Sequence, residues 1–332
     1  MASTIKDVAK MAGVSPSTVS RAFVAPNKVK SVTLERIKSV AKELDYQPNP
    51  VAQSLITGKM MTIGLLIPDI ENPVFAGMVK GVGAVAKAAG YQVLLADTNE
   101  NPDEELAAAN RLATQTDGLI LASSRLPEEQ IVSIAASSPV VLVNRRASGV
   151  SSCVVDYRGG IMQAMRHLQA LGHKKIAYLS GPSLSMTEGE RRKAMVDFCV
   201  ENGVELSVLG PFEPTFDGGE DAADDLMGYE ASAVFAYNDV MAIGLMYRLE
   251  TYGVKVPDEL SVVGFDDIDF AKMASPSLST VQTDASKMGT NAAKRLIATI
   301  QTDKEPPPPS EELLRTRLIL RASTKPFVAS SN

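Results

Sequence analysis

Residues Thr4–Phe23 read TIKDVAKMAGVSPSTVSRAF, a segment that predicts two short helices joined by a tight turn. Thr4 can cap the first helix, and Gly13 suits the left-handed residue that ends it. Ser15 can cap the second helix, with Pro16 at its first position, where a missing N–H costs no hydrogen bond. Two helices separated by so few residues predict a helix-turn-helix.

The second of these helices is the candidate DNA-reading element. Thr18 and Val19 are predicted to point inward. The side chains that then face solvent are Pro16, Ser17, Ser20 and Arg21. A recognition helix places such side chains on base edges in the major groove, where an arginine can bind a guanine through two hydrogen bonds. The helix N-terminus and the Ser15 hydroxyl also suit a phosphate.

A third helix and a separate short one are predicted before residue 60. Apolar residues recur at helical spacing over residues 31–44, which completes an all-helical head over residues 1–47. Residues 49–58 have the pattern of a complete short helix, with an asparagine cap, a proline in the first turn and a glycine at the end. Because so short a helix is marginal alone, residues 48–60 are predicted to be a hinge.

Charge is distributed unevenly along the 332 residues. The net charge is −6, yet residues 1–60 hold nine Lys or Arg against four Asp or Glu, which gives +5 there and −11 in the rest. A small basic head on a larger acidic body indicates a polyanionic partner for the head alone. The composition is globular, with 45% hydrophobic and 22% charged residues, and the length predicts roughly two or three domains.

The pattern changes at Thr62, where short apolar runs begin to alternate with helix-length amphipathic segments. Apolar, β-branched runs of this length predict strands buried on both faces of parallel sheets. The predicted strands are Thr62–Pro68, Gln92–Ala96, Gly118–Ala122, Pro139–Val143, Cys153–Val155, Lys175–Leu179, Ala233–Ala236 and Ser261–Phe265. About ten such strands would form two doubly wound sheets, with ligand bound at the carboxyl ends of the strands.

Over nearly its whole length the chain resembles the lactose/galactose/purine repressor family of bacterial transcription regulators. The head segment above and KELDYQPNPVAQSL at residues 42–55 carry the resemblance at the start. Six more motifs follow in the family's order: TIGLLIPDIENPVF (62–75), LQALGHKKIAYLSG (168–181), FAYNDVMAIG (235–244), VPDELSVVGFDD (256–267), LSTVQTDASKMG (278–289) and LILRAS (318–323). The resemblance implies an α/β protein with an all-α helix-turn-helix head, a hinge helix and two doubly wound parallel-sheet subdomains, similar to type I periplasmic binding proteins.

The resemblance also implies how the chain is divided and what it does. The core over residues 61–332 would bind an effector and dimerise. Its N-subdomain would comprise about residues 61–158 and 284–312, and its C-subdomain about residues 159–283 and 313–328. The protein would be a ligand-responsive repressor that binds a pseudo-palindromic operator in double-stranded DNA as a homodimer.

Carried over residue by residue, the family's DNA contacts fall on the head and the hinge. They are Lys6, Ser15, Pro16, Ser17, Ser20, Arg21, Lys28, Lys30, Asn49, Ala52 and Leu55. The three lysines would meet phosphates, and Arg21 would carry much of the base reading because Pro16 and Ser17 are small. Leu55 matches the hinge leucine that wedges into the minor groove at the operator centre and kinks the DNA.

The family's effector contacts fall on Asn72, Phe75, Arg145, Arg191, Asn238 and Asp266. Each lies at the end of a predicted strand or the start of a predicted helix, where open α/β folds bind ligands; Arg191, for example, opens a predicted helix. A ring face and planar polar groups suit a sugar, and two arginines also tolerate a phosphate or carboxylate. The expected effector is a sugar, sugar phosphate, polyol or nucleoside, with no cofactor, metal site or catalytic residue.

Two positions depart from the family pattern. Asn144 stands where sugar-binding relatives often have an acid, and Thr283 stands where the lactose repressor has an amide, so a standard hexose or galactoside is in doubt. Residues 327–332 lack the leucine heptads that tetramerise some relatives, which favours a dimer.

Other protein classes share parts of this pattern. Residues 81–86 match the G-x-G-x-x-A fingerprint of NAD-dependent enzymes, but they lie inside a predicted helix, over ten residues past the strand. A periplasmic sugar-binding protein would share the body, but the N-terminus lacks the apolar core of a signal peptide and no run approaches the ~18 residues of a membrane span. We therefore expect a cytoplasmic protein, and a core that responds to a partner protein stays open as an alternative.

Overall fold

The computed structural model describes residues 3–24, 26–47, 58–302 and 308–328. The chain divides into a small unit, residues 1–62 with 115–117, and a large unit that contains the rest. Within the described residues, no helix combines the length and the apolar character needed to cross a bilayer.

The small unit is helical. Its elements are α1 (Ile5–Ala12), α2 (Pro16–Val24), a 3-10 turn (Pro26–Lys28) and α3 (Ser31–Glu43). The backbone N–H and hydroxyl of Thr4 donate to the Asp7 carboxylate at 2.9 and 2.7 Å, and Gly13 ends α1 with a φ of 63°. The Ser15 hydroxyl accepts the Thr18 backbone N–H at 3.2 Å and so caps α2. The predicted helix-turn-helix is confirmed.

A small apolar core holds these three helices together. Val8 on α1, Val19 on α2 and Ile37 on α3 are each completely buried. Burial of such side chains stabilises the fold by about 1.5–3 kcal/mol each. Val19 therefore points inward as predicted, whereas Thr18 is only half-buried.

The large unit contains two six-stranded sheets. The first has the spatial order β11 (Glu311–Leu314), β5 (Ser151–Val155), β4 (Val140–Val143), β3 (Leu119–Ala122), β1 (Thr62–Ile67) and β2 (Gln92–Asp97). The second has the order β12 (Arg317–Ile319), β10 (Ser279–Gln282), β9 (Ser261–Asp266), β8 (Ala233–Ala236), β6 (Lys175–Leu179) and β7 (Glu205–Leu209). The strands pair in parallel except β12, which is antiparallel to β10, so the predicted fold class is confirmed.

Helices connect most consecutive strands, whereas loops join β4 to β5 and β11 to β12. The helices associated with the first sheet are α4 (Pro73–Ala88), α5 (Pro102–Ala113), α6 (Glu128–Ala135) and α12 (Ala285–Gln301). Those associated with the second are α7 (Tyr157–Ala170), α8 (Met186–Asn202), α9 (Phe216–Leu226), α10 (Asp239–Thr251) and α11 (Asp269–Met273). The chain passes between the sheets three times, after β5, β10 and β11.

The third of these passages differs from the expected subdomain boundary. Leu313 and Leu314 pair with β5, so β11 stays in the first sheet to its end, and the chain crosses at residues 315–316 rather than after residue 312. Four strands, β7, β10, β11 and β12, were not predicted because each has at most five residues and contains polar residues that interrupt the apolar run. The burial expected for β2 was wrong, since it is an edge strand in which Leu94 and Leu95 are 37% and 39% exposed.

Glycines allow two helix pairs to approach closely. A Cβ on Gly81 of α4 would collide with the backbone oxygen of Ser286 on α12, and one on Gly289 would collide with that of Met78. Likewise, a Cβ on Gly219 of α9 would collide with the Met241 backbone oxygen on α10, and one on Gly244 of α10 would collide with the Phe216 backbone oxygen on α9. The G-x-G-x-x-A match therefore lies inside α4, where its first glycine serves helix packing rather than a phosphate-binding turn.

Candidate functional site

A cavity of about 500 Å³ lies where the carboxyl ends of strands from both sheets meet. Five of the six predicted effector residues line it: Asn72, Phe75, Arg191, Asn238 and Asp266. Asn144 and Thr283, the two departures from the family pattern, line it as well. The position at the strand ends is the one expected of a ligand site in this fold.

Arg145 does not line this cavity. Its Nη2 donates to the backbone oxygen of Leu126 at 2.8 Å, while Asn144, one residue earlier, occupies the position at the cavity wall. Side chains alternate in direction at the end of β4, so Asn144 rather than Arg145 lines the cavity, and the effector contact of Arg145 stays a prediction.

Arg191 is buried among aromatic rings at the cavity wall. Its Cζ lies 3.9, 4.6 and 5.0 Å from the ring centroids of Phe265, Tyr237 and Tyr157, an aromatic box that favours a cation. Nη1 donates to the Tyr237 backbone oxygen, and Nη2 lies 3.6 Å from Asp266 Oδ1. Arg191 lies in the second turn of α8, since this helix begins at Met186, earlier than the sequence indicated.

Asp266 ends β9 with a φ of 115°, a backbone conformation that L-residues rarely adopt. Burial raises the pKa of its carboxyl to about 6, opposed by the nearby Arg191 guanidinium. The buried Asp239 supports the following loop by accepting the Ile268 N–H at 2.9 Å and the Thr280 hydroxyl at 2.5 Å. Asp267 is held by Arg321 at 2.5 Å. This loop therefore fixes the Asp266 carboxylate at the cavity wall.

The two predicted asparagines, Asn72 and Asn238, are the N-cap residues of helices. Asn238 Oδ1 accepts the Met241 N–H at 2.8 Å, and its Nδ2 donates to the Pro214 backbone oxygen at 2.9 Å. Asn72 Oδ1 accepts the Val74 N–H at 3.1 Å. Both residues border the cavity, and these bonds commit their side chains largely to capping α10 and α4.

The sequence reasoning missed several lining residues, namely Glu100, Ser123, Arg125, Tyr157, Thr187 and Tyr237. Arg125 and Glu100 form an ion pair with Nε–Oε2 and Nη2–Oε1 distances of 2.5 and 2.9 Å. Ser123, Tyr157 and Tyr237 come directly or almost directly after β3, β5 and β8. The rule that identified the other strand ends would have found these three had it been applied to every strand.

Two polar atoms of the lining residues have no hydrogen-bond partner among the described residues. They are Asn144 Oδ1 and Arg191 Nε, and both are buried. Leaving a buried polar group unpaired costs about 1–3 kcal/mol, so native proteins keep few of them. Together they offer one hydrogen-bond acceptor and one donor to a bound molecule.

Backbone strain concentrates around the same cavity. The described chain contains eight non-glycine residues with positive φ, and six of them follow β2, β3, β4 or β9 or end β9. These six are Asn99, Glu100, Ser123, Asn144, Asp266 and Asp267. Such conformations cost of order 1–3 kcal/mol each and cluster at functional sites.

The second candidate site is the exposed side of the helical unit. Lys6, Ser15, Pro16, Ser17, Arg21, Lys28 and Lys30 are exposed, and Ser20 is half-buried. Arg21 Nε donates to the Ser17 backbone oxygen at 3.3 Å, which leaves its Nη groups at the surface of α2. The predicted hinge contacts Asn49, Ala52 and Leu55 lie outside the described residues, so their roles stay predictions.

Both parts of the chain match family models. Residues 4–49 match the model described as "Bacterial regulatory proteins, lacI family", and residues 165–324 match that of the "Periplasmic binding protein-like domain". No group of three or more His, Cys, Asp or Glu side chains within the described ranges is arranged to hold a metal ion.

Individual relatives match over nearly the whole length. The HTH-type transcriptional repressor CytR of Escherichia coli strain K12 is 31% identical, over 98% of this chain and 97% of the relative. The crystal structure of the lac repressor dimer bound to operator and the anti-inducer ONPF has a TM-score of 0.87 at 26% identity, covering 98% of this chain and 100% of that one. A complex of the transcriptional regulator CelR with cellobiose has a TM-score of 0.70 at 30% identity, covering 97% and 99%.

Proposed function

The chain belongs to the lacI family of bacterial regulatory proteins, and we propose that it represses transcription by binding a pseudo-palindromic operator as a homodimer, with a sugar-like molecule as effector. Membership of this family makes it a transcription regulator. The observation that carries the effector proposal is the buried cavity in which Asn144 Oδ1 and Arg191 Nε have no partner among the described residues. Because a regulator must reach the chromosome, we propose that it acts in the cytoplasm.

The proposed DNA contacts rest on exposure and charge. The first two turns of α2 present Pro16, Ser17 and Arg21 to solvent, as a recognition helix does in the major groove. Lys6, Lys28 and Lys30 are exposed and suit phosphates, which dominate non-specific affinity. The lac repressor structure was determined with operator DNA, which supports the same use of α2 here.

The proposed effector contacts rest on the cavity. Phe75 and the tyrosines supply ring faces, and Asp266 and Arg191 supply a charged acceptor and donor. The effector classes left open by the sequence were a sugar, sugar phosphate, polyol or nucleoside. The CelR complex contains cellobiose, which supports a sugar-like ligand for this chain.

The two sites are coupled through a change in the large unit. Effector in the cavity contacts residues from both sheets, so it favours one relative position of the sheets over another. We propose that this change alters the pairing of the hinge segments of the dimer and so the operator affinity. Coupling of this kind is reciprocal: an effector that weakens DNA binding must itself bind less tightly to the DNA complex.

Two measurements test this function in order. Selection of duplexes from a random pool by the purified protein should enrich a pseudo-palindrome, and enrichment of no sequence would reject the operator-binding proposal. A thermal-shift screen against sugars, polyols and nucleosides should then give a hit, since ligand at ~100 times its Kd adds about 2.7 kcal/mol of stability. The hit must change affinity for the selected duplex; a ligand that stabilises the protein without this effect would remove its role as effector.

A further inference from the structure

The effector cavity contains a second buried arginine, Arg125, whose guanidinium is paired with a carboxylate. Arg125 donates through Nε and Nη2 to the two carboxylate oxygens of Glu100 at 2.5 and 2.9 Å, and through Nη1 to the Ser123 backbone oxygen at 2.5 Å. Only 3% of the Arg125 side chain and 18% of the Glu100 side chain are exposed. A paired guanidinium–carboxylate contact of this kind is strong and directional. Each guanidinium nitrogen of Arg125 therefore already has a protein acceptor, and the charge is balanced by Glu100, although one N–H on each Nη remains.

Glu100 is held in place by its own loop. Asn99 and Glu100 have φ values of 49° and 58°, which non-glycine residues adopt only where the surroundings require it. The Glu100 backbone N–H donates to the Pro68 oxygen at 2.8 Å, and Asn99 Nδ2 donates to Glu104 at 3.1 Å. The carboxylate is thus a built part of the cavity wall rather than a mobile surface acid.

The charges of the lining cancel. Among the described residues that line the cavity, the charged ones are Glu100, Arg125, Arg191 and Asp266. Arg191 faces Asp266 at 3.6 Å, as Arg125 faces Glu100. An anionic ligand would bring an uncompensated charge into this buried site, where desolvation of ions is expensive.

The two unpaired atoms match a hydroxyl group better than an ionised oxygen. Asn144 Oδ1 needs a donor, and Arg191 Nε needs an acceptor. A hydroxyl group can donate and accept, so a polyol or sugar satisfies both atoms. Ionised phosphate and carboxylate oxygens only accept, so the charged group of an anionic ligand could pair with Arg191 Nε but not with Asn144 Oδ1.

This inference rests on the proposed function. We propose that the effector is an electrically neutral polyhydroxy compound, and that Glu100 sets this specificity by pairing with Arg125. Sugar phosphates and sugar acids are then excluded, although the cavity contains two arginines. Glu100 is a specificity-determining residue: without its carboxylate, Arg125 would become a buried anion site.

Thermal melts with inorganic phosphate as the probe test this inference. The wild-type Tm should be the same in potassium phosphate and in potassium chloride of equal ionic strength, and ribose 5-phosphate should stabilise it no more than ribose. Glu100→Gln should gain a phosphate-specific rise of about 2–4 °C in Tm. The double variant E100Q/R125Q should lose this rise, and Glu129→Gln, which removes an exposed carboxylate of equal charge, should never gain it.

Each outcome bears on the proposal. A wild-type protein that phosphate or ribose 5-phosphate stabilises specifically would overturn it, and so would a phosphate-insensitive Glu100→Gln with native near-UV circular dichroism. If Glu100→Gln does not fold, Glu100→Ala takes its place, and the wild-type comparison still decides whether anions are excluded. Operator selection is measured separately, so loss of the proposed function and loss of this specificity are distinguishable.

Discussion

Arg191 Nη2 and Asp266 Oδ1 lie 3.6 Å apart, with only 5% and 9% of the two side chains exposed. The pair connects the second turn of α8 to the end of β9 at the wall of the effector cavity. At this distance the two groups attract each other while neither satisfies the other completely. A ligand hydroxyl can therefore bond to both without first breaking a tight ion pair.

Asp266→Ala and Arg191→Ala should each abolish the effector response and leave effector-free operator binding unchanged. Each removes a charged hydrogen-bonding group, worth about 1.5–3 kcal/mol, so effector affinity should fall about 10- to 150-fold. Isothermal titration with the effector and operator binding by fluorescence anisotropy measure the two effects. Asp221→Ala, an exposed acid on α9, is the matched control. A normal response in both variants would place the effector elsewhere.

Effector affinity should fall as the pH drops from 7.5 to 5.5. The pKa of Asp266 is raised to about 6, so its carboxylate is ionised at pH 7.5 and becomes protonated as the pH falls through 6. Protonation removes an acceptor for the ligand and the charge that balances Arg191. If only the ionised form binds, a pKa near 6 predicts about a fourfold loss of affinity at pH 5.5. Calorimetric titration should find this loss in wild type, while any residual binding by Asp266→Asn should show none of it.

The sequence predicted the architecture better than the fine geometry of the site. Caps such as Thr4, Gly13 and Ser15 act through a residue's immediate neighbours, and continuous apolar runs identify buried strands regardless of the rest of the chain. Short polar strands such as β11 and β12 carry no such signal, because neighbouring strands rather than local preference stabilise them. The pairing of β11, for example, depends on β5, more than a hundred positions away.

Site residues were predictable where a single residue lies at the end of one strand. They were not predictable where a contact joins two loops that are far apart in the sequence. Phe75 and Asp266, which the family resemblance assigned to the effector site, line the cavity, and Asp266 lies at the end of a strong strand. The Glu100–Arg125 pair depends on the spatial neighbourhood of β2, β1 and β3, which the order of elements along the chain does not reveal. Arg145 does not line the cavity because a one-residue difference at a strand end reverses the side-chain direction.

Arg21→Ala should weaken binding to the selected operator by about 10- to 100-fold, because an arginine bonded to a guanine through two hydrogen bonds contributes about 1–3 kcal/mol of base discrimination. Binding to random duplex should persist and fall steeply with salt, since phosphate contacts supply it. Fluorescence anisotropy with both duplexes over a range of KCl concentrations measures this. Arg36→Ala removes the same charge from an exposed position on α3. Equal losses of operator affinity in the two variants would mean that Arg21 contributes only its charge.

Gly81→Ala should destabilise the large unit, whereas Gly83→Ala should not. A methyl group at Gly81 meets the Ser286 backbone oxygen, and overpacking of this kind typically costs 1–3 kcal/mol. At Gly83 nothing lies within 4 Å of the added Cβ, so better helix propensity should stabilise α4 by up to about 1 kcal/mol. Chemical denaturation compares the two; similar stabilities would mean that α4 and α12 separate readily.

The left-handed strand ends limit which amino acids evolution can try at the cavity wall. Of the six strained residues, Glu100, Ser123, Asn144 and Asp266 line the cavity. That backbone conformation admits asparagine, aspartate and glycine far more readily than branched or bulky side chains. If a descendant of this protein acquires a new effector, the residues that contact it at these turns would therefore be chosen from a few short polar amino acids. Larger changes in ligand shape would have to arise on helices such as α4 and α8, where the backbone accepts almost any side chain.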